Sequence, residues 1–177
     1  CSMSVLPAYS TDGITWSSGR LPVNREWCSV CYGNGKFVAV ACNSAIAAYS
    51  TDGINWTQSE LPVSKSWRSV CYGNGKFVAV VDGSNVAAYS TDGINWTQST
   101  LPVSSSWMSV CYGNGKFVAV AEGSNVVAYS TDGINWTQSE LPGSGSVRSV
   151  CYGGDKFVAI GINGVWGYLK DSFDEWE

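Results

Sequence analysis

Three observations predict an all-β fold, a β-propeller of four-stranded antiparallel blades. A 40-residue unit recurs, nothing in it carries helical spacing, and tight-turn signals separate its short β-branched runs. Ala48–Ala87 reads AYSTDGINWTQSELPVSKSWRSVCYGNGKFVAVVDGSNVA, and Ala88–Val127 repeats it with six changes. Further copies begin at Ala8 and Ala128, and Trp16, Trp56, Trp96, Trp136 and Trp176 keep the 40-residue step. Four strands in about 40 residues is the arithmetic of propeller blades. A single blade cannot bury both faces, so neighbours must stack, with aromatics at fixed positions supplying the packing.

Each element follows from local chemistry. Strand A is Arg68–Gly73, alternating and β-branched. Asn74-Gly75 then supplies the positive φ that both central positions of a type I′ turn require. Strand B is Lys76–Val81, and the cluster Asp82-Gly-Ser-Asn85 turns the chain into strand C, Val86–Ser90. Asp92-Gly93 leads into strand D, Ile94–Gln98, and Leu101-Pro102 is expected to end the unit. The chain is read as one propeller domain over residues 1–177, in units of about 1–26 (partial), 27–66, 67–106, 107–146 and 147–177. Five units with the first incomplete is the preferred register. The alternative is four blades, with Val5–Ser18 joining the strands of Val150–Ile160 to close the ring. Cys1–Ser10 aligns with Ala41–Ser50, so the start reads as a truncation; the decayed Tyr168–Trp176 copy reads as an end.

The motif Ser90-Thr-Asp92-Gly93-Ile-Asn-Trp96 resembles the Asp box, or BNR repeat, of sialidase-type propellers, found in bacterial surface and phage tail-associated proteins. It recurs at Ser10–Trp16, Ser50–Trp56 and Ser130–Trp136, with Asp and Gly adjacent where the usual box separates them. The resemblance implies a scaffold role for the Asp turn, joining the third and fourth strands of a blade. It also implies a cell-surface or virion setting. Asp12, Asp52, Asp92 and Asp132 fit that role: each is alone in its turn, without a ladder of calcium ligands.

Composition narrows function further. No apolar run is long enough for a membrane-spanning helix, so no membrane insertion is expected. Ten basic residues against 14 acidic ones form no run, so no nucleic-acid partner is expected. There is no histidine, which removes the usual general base and the commonest transition-metal ligand. A sialidase-like glycosidase is the second alternative function; the resemblance would then imply a convergent arginine cluster, and Arg20, Arg25, Arg68 and Arg148 offer none. The expectation is therefore a chain that is not an enzyme, with no cofactor and no metal. Cys31, Cys71, Cys111 and Cys151 share one strand position and read as reduced structural thiols. Cys28 and Cys42 fall outside the repeat and are expected to be buried.

The units differ mostly on one side. The A–B and C–D turns are nearly constant, whereas the D–A and B–C connections change in charge and size. Loops on a rigid frame commonly carry recognition, so the candidate ligand-binding residues lie on that rim. They are Trp27, Trp67, Trp107, Arg25, Lys65, Arg68, Arg148, Asp82, Asn85, Glu122 and Asn125. The tryptophans are either sugar platforms or packing wedges, and packing is the preferred reading. The predicted function is multivalent, lectin-like recognition of a glycan or cell-surface protein, extracellular or virion-associated. A structural or assembly propeller of a phage tail or surface protein is the alternative. Oligomeric state is not fixed by the sequence.

Overall fold

The computed structural model describes residues 7–142, 145–162 and, for the backbone alone, 166–169. All regular elements there are strands. β1 (Ala8–Tyr9) and β2 (Ser17–Ser18) form a two-stranded sheet, followed by β3 (Trp27–Gly33), β4 (Lys36–Ala41) and β5 (Ser44–Ser50). The long β6 (Thr57–Gly73) leads to β7 (Lys76–Asp82) and β8 (Ser84–Ser90). An equally long β9 (Thr97–Gly113) leads to β10 (Lys116–Glu122), β11 (Val126–Ser130) and β12 (Thr137–Glu140). β13 (Ser146–Gly153), β14 (Lys156–Ile162) and β15 (Trp166–Leu169) form a last three-stranded sheet. The last Asp-bearing copy beyond Leu169, with Trp176, lies outside the described residues.

The A–B turns behave as the Asn-Gly pairs predict. Asn34, Asn74 and Asn114 have φ of 47°, 45° and 42°, each followed by a glycine with positive φ. Two of the expected D–A loops are continuous strand, while the passages before β3 and before β13 are irregular in the described residues. β6 and β9 are each 17 residues long and run unbroken from strand D of one blade into strand A of the next. They therefore join β3 through β12 into one ten-stranded antiparallel meander. Pro62 does not stop β6 because it sits where the strand changes partners. Pairing with β5 is regular through Glu60↔Ile46, and pairing with β7 begins at Ser66↔Asp82. A proline between two ladders forfeits no bond.

Successive blades stack face to face. Val38, Val40, Ala47 and Leu61 of one blade pack against Trp67, Val70, Phe77, Ala79 and Val81 of the next. The same arrangement recurs 40 residues on, with Val78, Val80 and Leu101 against Trp107, Val110 and Phe117. We call these the trailing and leading faces of a blade. Polar links fix the stack: Ser29, Ser69 and Ser109 Oγ accept the N–H of Val70, Val110 and Val150 across the joint, at 3.1, 3.1 and 3.3 Å. Glycine is required at Gly33, Gly73 and Gly113 because a Cβ there would lie about 2 Å from the ring of Tyr72, Tyr112 or Tyr152. The described sheets do not close into a ring, and β1–β2 does not pair with β14.

Candidate functional site

Trp67 and Trp107 are wholly buried between blades, and their indole N–H groups donate to the carbonyls of Val63 and Val103. Their faces are covered by protein, so the packing reading describes them and a sugar platform there would require the joint to open. Arg68 and Asp82 form an ion pair at 3.0 Å, Arg148 pairs with Glu122, and Asn125 Nδ2 donates to Glu140. Arg25, Lys65 and Asn85 are exposed on separate units. The rim charges thus mostly answer one another.

The ion pairs explain the cysteines that depart from the repeat. The A–B ladder skips one residue per blade, a bulge at Cys28, Arg68, Met108 and Arg148. In the first two blades the bulged side chain meets the residue 14 positions on. In the second that is Arg68 with Asp82, and in the first it is a disulfide between Cys28 and Cys42, Cα atoms 5.9 Å apart. Met108 cannot pair with Glu122, which instead takes Arg148 from the following blade. The expectation that Cys28 and Cys42 are simply buried is thereby amended: they form a bridge, with Cys42 buried and Cys28 half-buried. Glu26 lies beside it, but a bridged pair offers no thiolates for a metal. Cys31, Cys71 and Cys111 are free thiols. Burial pushes Cys31 and Cys111 up to about 12, and burial, with the neighbouring Cys31 and Cys111, raises Cys71 well above the ordinary thiol range.

The Asp turns are scaffold. Asp92 Oδ1 accepts the N–H of Ile94 and Asn95 at 2.8 Å, its Oδ2 accepts Asn95 Nδ2, and Ser90 Oγ–H donates to it. Burial pushes Asp92 and Asp132 up, but these donors together outweigh it and hold both carboxyls below their ordinary range. Asp52 is held low by Asn55 and by backbone N–H groups, and Asp12 chiefly by the N–H of Thr15 and Ile14.

A site absent from the sequence reading opens between β1–β2 and the blade that begins at β3. It is a groove of about 700 Å³ lined mainly by Tyr9, Trp16, Trp27, Val30, Phe37 and Trp56. β1–β2 holds the place of strands C and D of a preceding blade, paired Ala8↔Ser18 as β11–β12 pairs Ala128↔Gln138. It is tied on by Arg20 N–H donating to the Ile54 carbonyl at 3.0 Å. No described strand fills the places of A and B. Val30 is consequently 59% exposed where Val70 is 4% exposed, and Tyr32 is 59% exposed. The Trp27 indole N–H, matching those of Trp67 and Trp107, has no partner among the described residues. Its volume falls within the range of small-molecule pockets, and its lining is mainly aromatic and apolar. Of the sequence candidates only Trp27 lies in it. The repeat alignment signals it only as a unit lacking two strands.

A succession of stacked antiparallel blades, not closed among the described residues, gives the chain a β-propeller-like architecture. The chain belongs to the DUF6242 β-propeller domain family, whose model matches residues 27–152 and, in a second overlapping register, 63–176. That is the family shown, rather than the Asp-box family that the turn motif suggests. No curated protein matches the chain. Solved structures of similar fold include virginiamycin B lyase from Staphylococcus aureus, at 14% identity and a TM-score of 0.78, covering 98% of this chain and 65% of the lyase. YCF48 bound to D1 peptide is similar at 18% identity and 0.69, covering 93% and 57%. The computationally designed Ika4 protein is similar at 9% and 0.65, covering 83% and 92%. The chain thus spans between about half and two thirds of the lyase and YCF48 chains. The lyase corrects one expectation. An enzyme stands among the similar propellers, so the reading of this chain as not an enzyme does not hold.

Proposed function

We propose that this propeller is a protein-interaction module that takes an extended, apolar segment into the groove between β1–β2 and β3–β6. The observation that carries the reading is the uncovered leading face of Val30, Tyr32 and Phe37, the same face that every later blade buries. β1 pairs only with β2 among the described residues, so its second edge offers backbone groups to an added strand. An aromatic, weakly charged lining favours apolar side chains over polyanions. The similar propeller YCF48, solved with a peptide, supports this class of partner. The Cys28–Cys42 bridge supports an extracellular or surface setting, where such bonds persist. Glycan recognition on the rim draws support from its unit-to-unit variation alone, since most of its charges are paired.

Selection from a displayed library of extended peptides tests the proposal, with affinity read by tryptophan fluorescence. Val30→Glu and Trp27→Ala are expected to weaken binding by about tenfold or more, while Lys65→Ala and Asn85→Ala leave it unchanged. Binding that is lost with the rim variants and kept with Val30→Glu would overturn the groove assignment.

A further inference from the structure

The Cys28–Cys42 bridge lies against charged groups from two blades, at a joint inside the stack. Cys42 Sγ, in a residue 3% exposed, is 3.1 Å from the Trp67 carbonyl oxygen and 3.6 Å from Arg68 Nη1 of the next blade. The same guanidinium donates through Nε and Nη2 to Asp82 Oδ2, at 3.3 and 3.0 Å, which leaves Nη1 for the sulfur. A Glu26 carboxylate oxygen stands within 4.8 Å of both sulfurs. Further along the stack the molecule shows what this geometry holds. Arg148 has the place of Arg68, Glu122 has the place of Cys42, and the two form an ion pair across their own joint. Both contacts span 26 residues. An arginine at the one place therefore holds an anion at the other, and the anion that Cys42 can supply is a thiolate.

We infer that Cys28–Cys42 is a thiol–disulfide exchange site for a dithiol reductant, with Arg68 holding the departing Cys42 thiolate. The inference is independent of the groove reading. Cys28 is the half-buried member of the pair and Cys42 the buried one, so exchange enters at Cys28. Its place is accessible inside the stack as well, since Arg68 at the equivalent bulge keeps a side chain 34% exposed. A thiolate of the reductant attacks Cys28 Sγ and forms a mixed disulfide there. The Cys28–Cys42 bond breaks, and its electron pair stays on Cys42 Sγ beside Arg68 Nη1. The second thiolate of the reductant then attacks its own sulfur in the mixed disulfide and closes the reductant's disulfide. Cys28 leaves with the electron pair and takes a proton, and the remaining proton goes to solvent. The reductant loses two electrons, and the pair gains them. A leaving thiol of lower pKa leaves faster, and a stabilised thiolate makes the bond easier to reduce. Burial of Cys42 and the Glu26 carboxylate oppose that thiolate, Asp82 competes for the guanidinium, and Arg68 is the group that favours it. When Cys42 is protonated, the Trp67 carbonyl accepts its S–H, so both protonation states of the reduced pair are satisfied.

The test equilibrates the whole chain with mixtures of reduced and oxidised dithiothreitol at about pH 8, above the usual range of an arginine-paired thiolate. Acid quenching, alkylation and mass spectrometry then read the fraction of the Cys28–Cys42 pair that is reduced. Arg68→Gln is expected to raise the ratio of reduced to oxidised reagent at half reduction by about tenfold, the equivalent of one pKa unit in the thiolate. Arg68→Lys, which keeps the charge, should recover most of that change. Asp82→Asn and Glu26→Gln should move the ratio the opposite way, by about threefold or more, because each removes a competing or opposing anion. The reduced wild type should keep its circular dichroism at room temperature. A ratio that is unchanged or lower in Arg68→Gln overturns the inference. The lower ratio is the direction that mere loosening of the joint gives, since a less firmly held bond is easier to break. Should Arg68→Gln fail to fold, a ratio that does not fall in Asp82→Asn and Glu26→Gln overturns it equally. Unfolding of the wild type on reduction would make the bridge a structural staple and would also sink the proposal.

Discussion

Gly73→Ala and Gly153→Ala place the same methyl group at equivalent positions in two blades, and the stacking account predicts opposite outcomes. At Gly73 the new Cβ would lie 1.9 Å from the Tyr112 ring, so the ring must leave its seat. Tyr112 would then also lose its tilted contact with Phe117, whose centroid is 4.7 Å away. Overpacking of this kind costs about 1–3 kcal/mol, and an aromatic pair contributes about 0.5–1.5 kcal/mol. Together they predict a loss of about 3 kcal/mol, or roughly 6–12 °C in melting temperature for a chain of this size. At Gly153 the Cβ meets nothing, so the change should fall within about 0.5 kcal/mol of zero. Neither glycine has a positive φ, so backbone strain does not confuse the comparison. Thermal and urea unfolding of dilute protein, followed by tryptophan fluorescence, reads the difference. Equal effects at the two sites would refute the reasoning.

Other consequences follow from the same contacts. Trp67→Ala removes a wholly buried side chain and should cost about 3–5 kcal/mol, whereas Trp16→Ala, at an exposed position, should change stability little. Reduction of the Cys28–Cys42 bridge, separated by 14 residues, should lower stability by about 3 kcal/mol, read as a fall in melting temperature with reductant. A double Cys28→Ser, Cys42→Ser variant should show no such fall. The Asp52, Asp92 and Asp132 carboxyls are depressed in the folded chain. Their contribution is therefore present above the ordinary carboxylate range and is lost as pH falls through and below it. Asp92→Asn should flatten that acid limb of a stability–pH curve, and an unchanged limb would contradict the assignment.

The repeat alone made the blades legible, because turn chemistry is local. The Asn-Gly pairs need positive φ wherever they stand, and the Asp turns close over three or four residues. Leu-Pro reads as the end of a unit, yet it punctuates the sequence without revealing that Pro62 falls between two ladders of one continuous strand. Trp67 and Trp107 could be placed beside strand A, but their burial depends on the face of the preceding blade. The Cys28–Cys42 bridge carries a signal in hindsight, since the same two repeat positions hold Arg68 and Asp82 in the next unit. The groove is the least legible feature. Val30 and Tyr32 have the same residue types as Val70 and Tyr72, and only the three-dimensional order of the blades leaves one pair covered and the other open.

The account depends most on a stack whose two end faces are open while its inner joints are closed. Timed alkylation of the native, non-reduced protein at low concentration, with sites assigned by mass spectrometry, measures that directly. Cys151 should label rapidly, while Cys31, Cys71 and Cys111 label only as the chain unfolds. Labelling of all four thiols at similar rates, or protection of Cys151 along with the rest, would contradict it.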